Sequence, residues 1–230
     1  MIDFTPHVEP FKEVINNTWL TPRGVMFSEG FALVSLIRHL DIDLMIESGV
    51  AYGGSTEIMA QFTNKPIMAI DTFDAYPDSY KYVKHRMSKY NNVILIQGDS
   101  HEKIPEILRS FKNKKIGLFI DGPKGMEAVE MAHKIYFGDD RIKFICIHDI
   151  KYRSSAATRC KQVFNDVIFT DEPRGYFSKV RGEIDSHMLS LNKKICNVSK
   201  SSLNPDEGLG YLQASLEESP YGYGMAVIVR

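Results

Sequence analysis

Five short apolar runs recur along this chain, and longer amphipathic stretches separate them. The runs are rich in β-branched residues and almost continuously apolar, which is typical of strands buried on both faces of a parallel sheet. They lie at residues 44–46, 66–70, 93–96, 116–120 and 144–147. The intervening stretches predict helices at 55–62, 78–89, 101–111, 124–137 and 154–164. This alternation predicts an α/β fold with a Rossmann-like, doubly wound sheet.

The two ends of the chain extend this prediction. Helical patterns at 8–19 and 29–40 form an N-terminal helical lead (1–43) before a cofactor-binding core (44–172). A polar, weakly periodic insert follows at 173–222, with a candidate strand at 187–191, and residues 223–230 predict a closing strand. We therefore expect one domain over 1–230, with seven mostly parallel strands and an antiparallel last strand.

Composition excludes several classes of protein. Lys and Arg total 28 against 29 Asp and Glu, so no overall positive field favours nucleic acid. No stretch approaches the ~20 apolar residues of a membrane span, and the N-terminus lacks the features of a signal peptide. The three cysteines are widely spaced, which indicates neither a zinc site nor a disulfide framework. We expect a cytoplasmic protein that binds neither nucleic acid nor membranes, with a homodimer left open.

Small residues crowd the segment 47–56, directly after the first apolar run. Ligands of open α/β sheets bind at the carboxyl ends of strands, where glycine allows a tight turn and a close approach to the backbone. The helix that begins near Ser55 would offer N–H groups to an anionic group. A dinucleotide fingerprint would need glycine at 49, 51 and 54, but position 51 is Ala. The pattern acidic-x-Gly-x-Gly-x-Gly fits about as well, filled by Glu47, Gly49, Ala51 and Gly53.

Acidic residues follow the other four runs. Asp71 stands 22 positions after Gly49, close to the ~20 typical of an acid that binds ribose hydroxyls. Asp99 and Ser100 follow the third run, where either one would also cap the next helix. The fourth and fifth runs end at three groups whose convergence marks a reaction site, and which could bind Mg²⁺: Asp121, His148 and Asp149.

The string Ile46-Glu47-Ser48-Gly49-Val50-Ala51-Tyr52-Gly53-Gly54-Ser55-Thr56 resembles motif I of class I S-adenosylmethionine-dependent methyltransferases. It is similar to small-molecule O-methyltransferases of the catechol and macrolide-sugar type and to cephalosporin hydroxylase-like proteins. The resemblance covers residues 44–150 and departs from the strict motif at Ala51. It implies that the glycines cradle the methionine part of the cofactor, with Glu47 near its amino group, and that the acid-Ser pair meets the adenine amino group. The expected cofactor-binding residues are Glu47, Gly49, Ala51, Tyr52, Gly53, Ser55, Asp71, Thr72, Phe73, Asp99, Ser100 and Asp121.

The same resemblance extends to the reaction site. In metal-dependent O-methyltransferases of the catechol type, the acid that ends the fourth strand binds the metal and a lysine three residues later is the general base; Asp121 and Lys124 have that spacing. Those enzymes carry Asp-Asn after the fifth strand, and the cephalosporin hydroxylase-like group carries Glu-Asp. This chain has His148-Asp149, so one ligand matches and His148, which could instead be a base, departs. The expected catalytic residues are Lys124, His148 and Asp149, and the candidate Mg²⁺ ligands are Asp121, His148 and Asp149.

These features predict a methyltransferase that uses S-adenosylmethionine to methylate a hydroxyl of a sugar, phenol or natural product. Two other functions stay open. An NAD-dependent oxidoreductase is disfavoured by Ala51, which breaks the dinucleotide fingerprint. A non-catalytic nucleoside-binding module would use the same fold, because a fold does not fix a function.

Overall fold

The structure is a computed structural model that describes residues 2–16, 25–75, 77–175, 177–190 and 224–230. The strands are β1 Leu44–Ser48, β2 Ile67–Asp71, β3 Val93–Gln97, β4 Ile116–Ile120, β5 Ile142–Ile147, β6 Val167–Phe169 and β7 Ala226–Val229. The helices are α1 Val8–Ile15, α2 Phe27–His39, α3 Gly54–Phe62, α4 Ser79–Met87, α5 Ser100–Ser110, α6 Gly125–Gly138, α7 Ser155–Val163 and α8 Ser178–Ser190, with a 3₁₀ turn at Thr5–His7.

All seven strands join one sheet in the order β3-β2-β1-β4-β5-β7-β6. The first five strands pair in parallel, whereas β7 runs antiparallel to both β5 and β6. The predicted fold class is therefore confirmed. The strand order reverses direction between β1 and β4, so the carboxyl ends of these two strands flank the crevice where ligands of such sheets bind.

Burial explains why the strands read as continuous apolar runs. Every residue of the central strands β1 and β4 is buried, because helices cover both faces of the sheet. The edge strand β3 is only partly buried, and its Ile94 is 49% exposed. One core cluster joins the sheet to α1–α4 and α8, and a second joins it to α5–α7.

One predicted strand is wrong. Residues 187–190 belong to helix α8 instead of a strand. The described sheet still has seven strands, because β6, at Val167–Phe169, was not predicted. Val180 and Ile184 are spaced four apart, which places both on one face of a helix, and the side chain of Ile184 is fully buried. The helix packs against α2, which explains how a largely polar segment holds helical structure.

The N-terminal lead also differs in detail. Helix α1 ends at Ile15 rather than near 19, and residues 17–24 lie outside the described residues. Residues 191–223 lie outside them as well; these are most of the predicted insert and the first residue of the predicted closing strand. Among the described helices, none has the length and apolar character that crossing a membrane requires.

Candidate functional site

A cavity of about 290 Å³ opens at the carboxyl ends of β1–β4. Five of the predicted cofactor-binding residues line it: Gly49, Asp71, Thr72, Asp99 and Ser100. Gly98, His101, Gly122, Pro123 and Glu127 complete the lining. Gly49 and Gly122 are 73 positions apart in the sequence, yet both line the cavity. This is expected, because the carboxyl ends of parallel strands meet at one edge of the sheet.

The carboxylate of Asp71 organises the loop that follows β1. Its Oδ2 accepts hydrogen bonds from the backbone N–H groups of Val50 (2.7 Å) and Ala51 (2.9 Å), and its Oδ1 accepts one from Phe73 (2.7 Å). The acid predicted to bind ribose therefore also fixes the glycine-containing loop from the neighbouring strand. Ala51 is held at a positive φ of 47° by this arrangement.

Gly49 is required by the protein's own backbone. Its φ is +88°, and a Cβ at this position would lie 2.6 Å from the backbone nitrogen of Gly122. The loop after β1 thus packs directly on the loop after β4, and the hydroxyl of Ser48 donates to the carbonyl of Gly122. The same hydroxyl lies 2.6 Å from that of Ser100, which follows β3. Gly49, predicted to allow a tight turn and the approach of a ligand, therefore allows the close contact with the neighbouring loop and also lines the cavity.

Glu47 is fully buried rather than exposed in the cavity. Its two oxygens accept hydrogen bonds from the hydroxyls of Ser55 and Thr56 (2.6 Å) in the first turn of α3. Burial raises the pKa of Glu47 to about 8, although the two hydroxyls oppose this. Ser55 and Thr56 are buried too, so the N-terminal turn of α3 presents little exposed surface. The binding of an anion by its N–H groups stays a prediction.

The other predicted cofactor-binding residues are dispersed. Gly53 is the N-cap of α3, at a φ of 79°, and Tyr52 packs edge-on against Tyr82 at 6.2 Å. The ring of Phe73 is buried in the core against Tyr80, outside the cavity lining. Asp99 caps α5 by accepting the N–H of His101 at 2.8 Å, and it lines the cavity as well.

Beside this cavity, four charged side chains form a cluster: Asp121, Lys124, His148 and Asp149. Lys124 donates to Asp121 and, at 2.7 Å, to Asp149, and Nδ1 of His148 lies 2.6 Å from Oδ1 of Asp121. Asp149 has a left-handed backbone (φ 59°), a conformation that costs a non-glycine residue about 1–3 kcal/mol and often persists at functional sites. The ends of β4 and β5 bring this cluster together as predicted.

Ion pairing sets the protonation states in the cluster. Burial alone would raise the pKa of Asp121, but His148 and Lys124 outweigh it and hold this pKa below its usual range. Burial likewise opposes protonation of Lys124, yet Asp121 and Asp149 raise the pKa of its amine. Lys124 is therefore an ammonium group in this arrangement, not a free base.

Sequence reasoning missed Glu29, whose side chain is fully buried behind His148. Oε2 of Glu29 lies 3.2 Å from Nε2 of His148 and accepts the backbone N–H of Met26 at 2.9 Å. Burial lowers the pKa of His148, but Glu29 and Asp121 together raise it well above 6.5. One signal in the sequence could have pointed to Glu29, namely an acidic residue among apolar ones at the start of a predicted helix. The capping pattern was hard to see because the N-cap residue is Met26 rather than Ser, Thr, Asp or Asn.

The cluster fits a hard cation in part. One ligand atom from each of Asp121, His148 and Asp149 lies within 4.8 Å of the other two. Two carboxylates suit Mg²⁺, which prefers oxygen ligands. Nδ1 of His148 lies 2.6 Å from Oδ1 of Asp121 and 3.5 Å from Nζ of Lys124. When this nitrogen donates to Asp121, it has no lone pair for a metal. In this structure Lys124 bridges the same two carboxylates.

A larger groove of about 550 Å³ lies between α5 and α6 and shares Ser100, His101 and Glu127 with the strand-end cavity. Its walls are mainly apolar, and the cluster residues do not line it. The smaller cavity is the better candidate site because it lies at the switch point of the sheet.

No family model matches the sequence, and no curated protein matches it. The chain is similar in structure to an O-methyltransferase from Bacillus cereus in complex with SAH (14% identity; 99% of this chain and 90% of that chain; TM-score 0.49). It is also similar to the O-methyltransferase TomG from Streptomyces achromogenes in complex with SAM (10%; 98% and 88%; 0.49). A precorrin-6y C5,15-methyltransferase from Geobacter metallireducens is similar over a shorter range (15%; 65% and 77%; 0.47). At these identities the likeness is one of overall fold and assigns no substrate or residue role to this chain.

Proposed function

We propose that this protein transfers a methyl group from S-adenosylmethionine to a hydroxyl of a small molecule. The observation that carries the proposal is the position of the strand-end cavity beside the charged cluster. Asp71, Asp99 and Ser100 supply acceptors and donors for a nucleoside within the cavity, and Gly122 and Pro123 connect it to Asp121. A nucleoside bound there lies next to groups able to move a proton.

The charge of the cavity supports a cationic cofactor. Asp71 and Asp99 line it and Asp121 adjoins it, and these acids would repel the pyrophosphate of NAD and attract a sulfonium. The buried first turn of α3 also leaves little surface on which a pyrophosphate could dock. Both observations favour S-adenosylmethionine over the dinucleotide of the alternative oxidoreductase.

The proposed reaction needs few protein groups. The acceptor oxygen forms a bond to the methyl carbon while the carbon–sulfur bond breaks, the sulfonium becomes a neutral thioether, and the hydroxyl proton passes to a base. Alignment in such a step contributes up to about 7–11 kcal/mol, and a general base typically contributes 10²–10⁴-fold in rate. Lys124 and Asp149 are 52% and 36% exposed, so both are accessible to an acceptor, whereas His148 is buried.

Lys124 must lose a proton before it serves as the base. Its amine is held as a cation by Asp121 and Asp149, so any added positive charge near these two carboxylates would lower its pKa. We propose Mg²⁺ in this role, held by the two carboxylates; a bound cation would also orient and acidify the acceptor hydroxyl. His148 would then hydrogen-bond to Asp121 instead of binding the cation.

Calorimetric titration tests the cofactor. We expect heat of binding with S-adenosylmethionine and none with NAD, and binding of NAD alone would exclude the proposal. A turnover assay over a set of hydroxyl compounds then separates an enzyme from a non-catalytic nucleoside-binding module.

Chelation tests the cation. We expect a chelator to abolish methyl transfer, to leave binding of S-adenosylmethionine within about twofold, and to be reversed by added Mg²⁺, because the carboxylates of Asp121 and Asp149 lie outside the cavity lining. Full activity in the chelator would remove the cation from the mechanism.

A further inference from the structure

Glu29 links the start of helix α2 to the charged cluster. It is the third residue of the helix, and its side chain is fully buried. A single oxygen, Oε2, accepts the N–H of Met26 and faces Nε2 of His148, while Oε1 has no hydrogen-bond partner among the described residues. One carboxylate oxygen is thus fixed to the helix on one side and to the imidazole on the other.

The imidazole of His148 spans two carboxylates. Nε2 faces Glu29 at 3.2 Å, and Nδ1 faces Asp121 at 2.6 Å. Each ring nitrogen thus lies within hydrogen-bond distance of a carboxylate oxygen. Phe119 packs edge-on against the ring at 6.2 Å.

We infer that Glu29 is a positioning residue that accepts a hydrogen bond from Nε2 of His148 and so holds the ring with Nδ1 against Asp121. In this arrangement His148 orients the Asp121 carboxylate toward Lys124. The geometric part stands by itself, and the effect on methyl transfer rests on the proposed function. A helix-capping role for Glu29 alone would leave the state of the His148 ring unchanged on substitution.

Two substitutions separate these roles. In Glu29→Gln, the amide oxygen can take the place of Oε2 and keep both hydrogen bonds, whereas Glu29→Met has similar length and accepts neither. Ser35→Ala is the matched control, since Ser35 lies on the same helix, is buried, and has no hydrogen-bond partner among the described residues.

Imidazole NMR of the full chain with ¹⁵N-labelled histidine is the first test, with His148 assigned by the signals lost in His148→Asn. We expect a slowly exchanging proton on Nε2 in the wild type, in Glu29→Gln and in Ser35→Ala. In Glu29→Met we expect the Nε2 proton to exchange rapidly. A wild-type ring without a proton on Nε2 would overturn the inference even if Glu29→Met fails to fold, and so would an unchanged Nε2 signal in a folded Glu29→Met.

Methyl transfer gives the second test. We expect Glu29→Met to lower kcat by about 10- to 100-fold and to leave KM for S-adenosylmethionine unchanged. This is the typical loss when a residue that orients a metal-binding side chain by a hydrogen bond is replaced. Glu29→Gln should restore most of kcat, and Glu29→Met should add no loss in a His148→Asn background. Equal losses in the Gln and Met variants would contradict the inference. If the wild type methylates no acceptor, the proposed function fails, while the NMR result still decides the role of Glu29.

Discussion

At the scale of single residues, Asp71 combines structural and binding features in one carboxylate. Its oxygens accept three backbone N–H groups from the loops after β1 and β2, and it lines the strand-end cavity. Its position at the end of a strand was predictable from the sequence, because a parallel sheet aligns its carboxyl ends. The three hydrogen bonds were not, because they depend on how the loop after the adjacent strand folds back.

We predict that Asp71→Ala weakens binding of S-adenosylmethionine by at least about tenfold, because the carboxylate that we expect to accept hydrogen bonds from the ribose hydroxyls is lost. Hydrogen bonds to a charged group are worth about 1.5–3 kcal/mol each. Lys124→Ala should change this affinity by less than about twofold, because Lys124 does not line the cavity. Calorimetric Kd values check both variants. Equal losses would contradict the separate positions we assign to the cavity and the cluster.

Glu47 gives a prediction about stability and pH. Its pKa is about 8 in the folded protein against an ordinary 4.5, so the folded state binds the proton more tightly. The stability that this provides is full below pH 4.5 and is lost as the pH rises from about 4.5 to 8. At about 1.4 kcal/mol per pKa unit, the loss amounts to several kcal/mol. The wild type should therefore lose several kcal/mol of stability between pH 5 and pH 8, and Glu47→Gln should not. We expect the free energy of unfolding of Glu47→Gln minus that of the wild type to rise by most of this loss.

Urea unfolding at the two pH values measures this difference. Glu57→Gln is the control, because Glu57 is equally buried but its pKa is lowered: burial alone would raise it, and Arg86 and Lys89 outweigh burial. The stability from Glu57 is lost only as the pH falls through its folded pKa, below this window. Its variant should therefore differ from wild type by a constant amount from pH 5 to pH 8. A parallel change in both variants would argue against an elevated pKa of Glu47.

At the scale of elements, two loops that follow β1 and β4 fold as one unit. A Cβ on Gly49 would approach the backbone of Asp121 to 2.8 Å and that of Gly122 to 2.6 Å. Neither contact can be relieved by a side-chain rotation, because backbone atoms are involved. The glycine pattern was visible in the sequence, but the sequence could not tell whether a ligand or another loop requires the small residue.

We predict that Gly49→Ala destabilises the protein by more than about 2 kcal/mol, from the left-handed backbone and the backbone contacts together. Gly138→Ala, at the end of α6, should be neutral or slightly stabilising, since a Cβ there meets nothing within 4 Å. Denaturant unfolding of both variants provides the comparison. A loss below 0.5 kcal/mol for Gly49→Ala would mean that the two loops separate easily.

At the scale of the whole molecule, the sheet is completed by the last residues of the chain. Strand β7 lies between β5 and β6, and its Val227 pairs with Cys146 on one side and Ile168 on the other. Residues 225–228 are fully buried. Among the described residues, strand β6 joins the sheet only through β7, so this edge of the sheet depends on β7.

We predict that Val227→Asp destabilises the protein by more than about 4 kcal/mol, because it buries an unpaired charge at the centre of this edge. Val229→Asp, at the partly exposed end of the same strand, should cost clearly less. Hydrogen exchange should show loss of protection at Val167–Phe169 in Val227→Asp. Retained protection there would mean that β6 is held by other contacts.

The sequence by itself determined the α/β class, the order of the helices and strands between residues 44 and 164, and which acids stand at strand ends. The reason is that hydrophobic periodicity and turn residues act locally, and a parallel sheet converts chain order into spatial order. The position of β6, the helix α8 and the burial of Glu47 were decided only by tertiary packing. So was the contact from Glu29 to His148, which joins residues 119 positions apart and depends on how α2 packs over the end of β5.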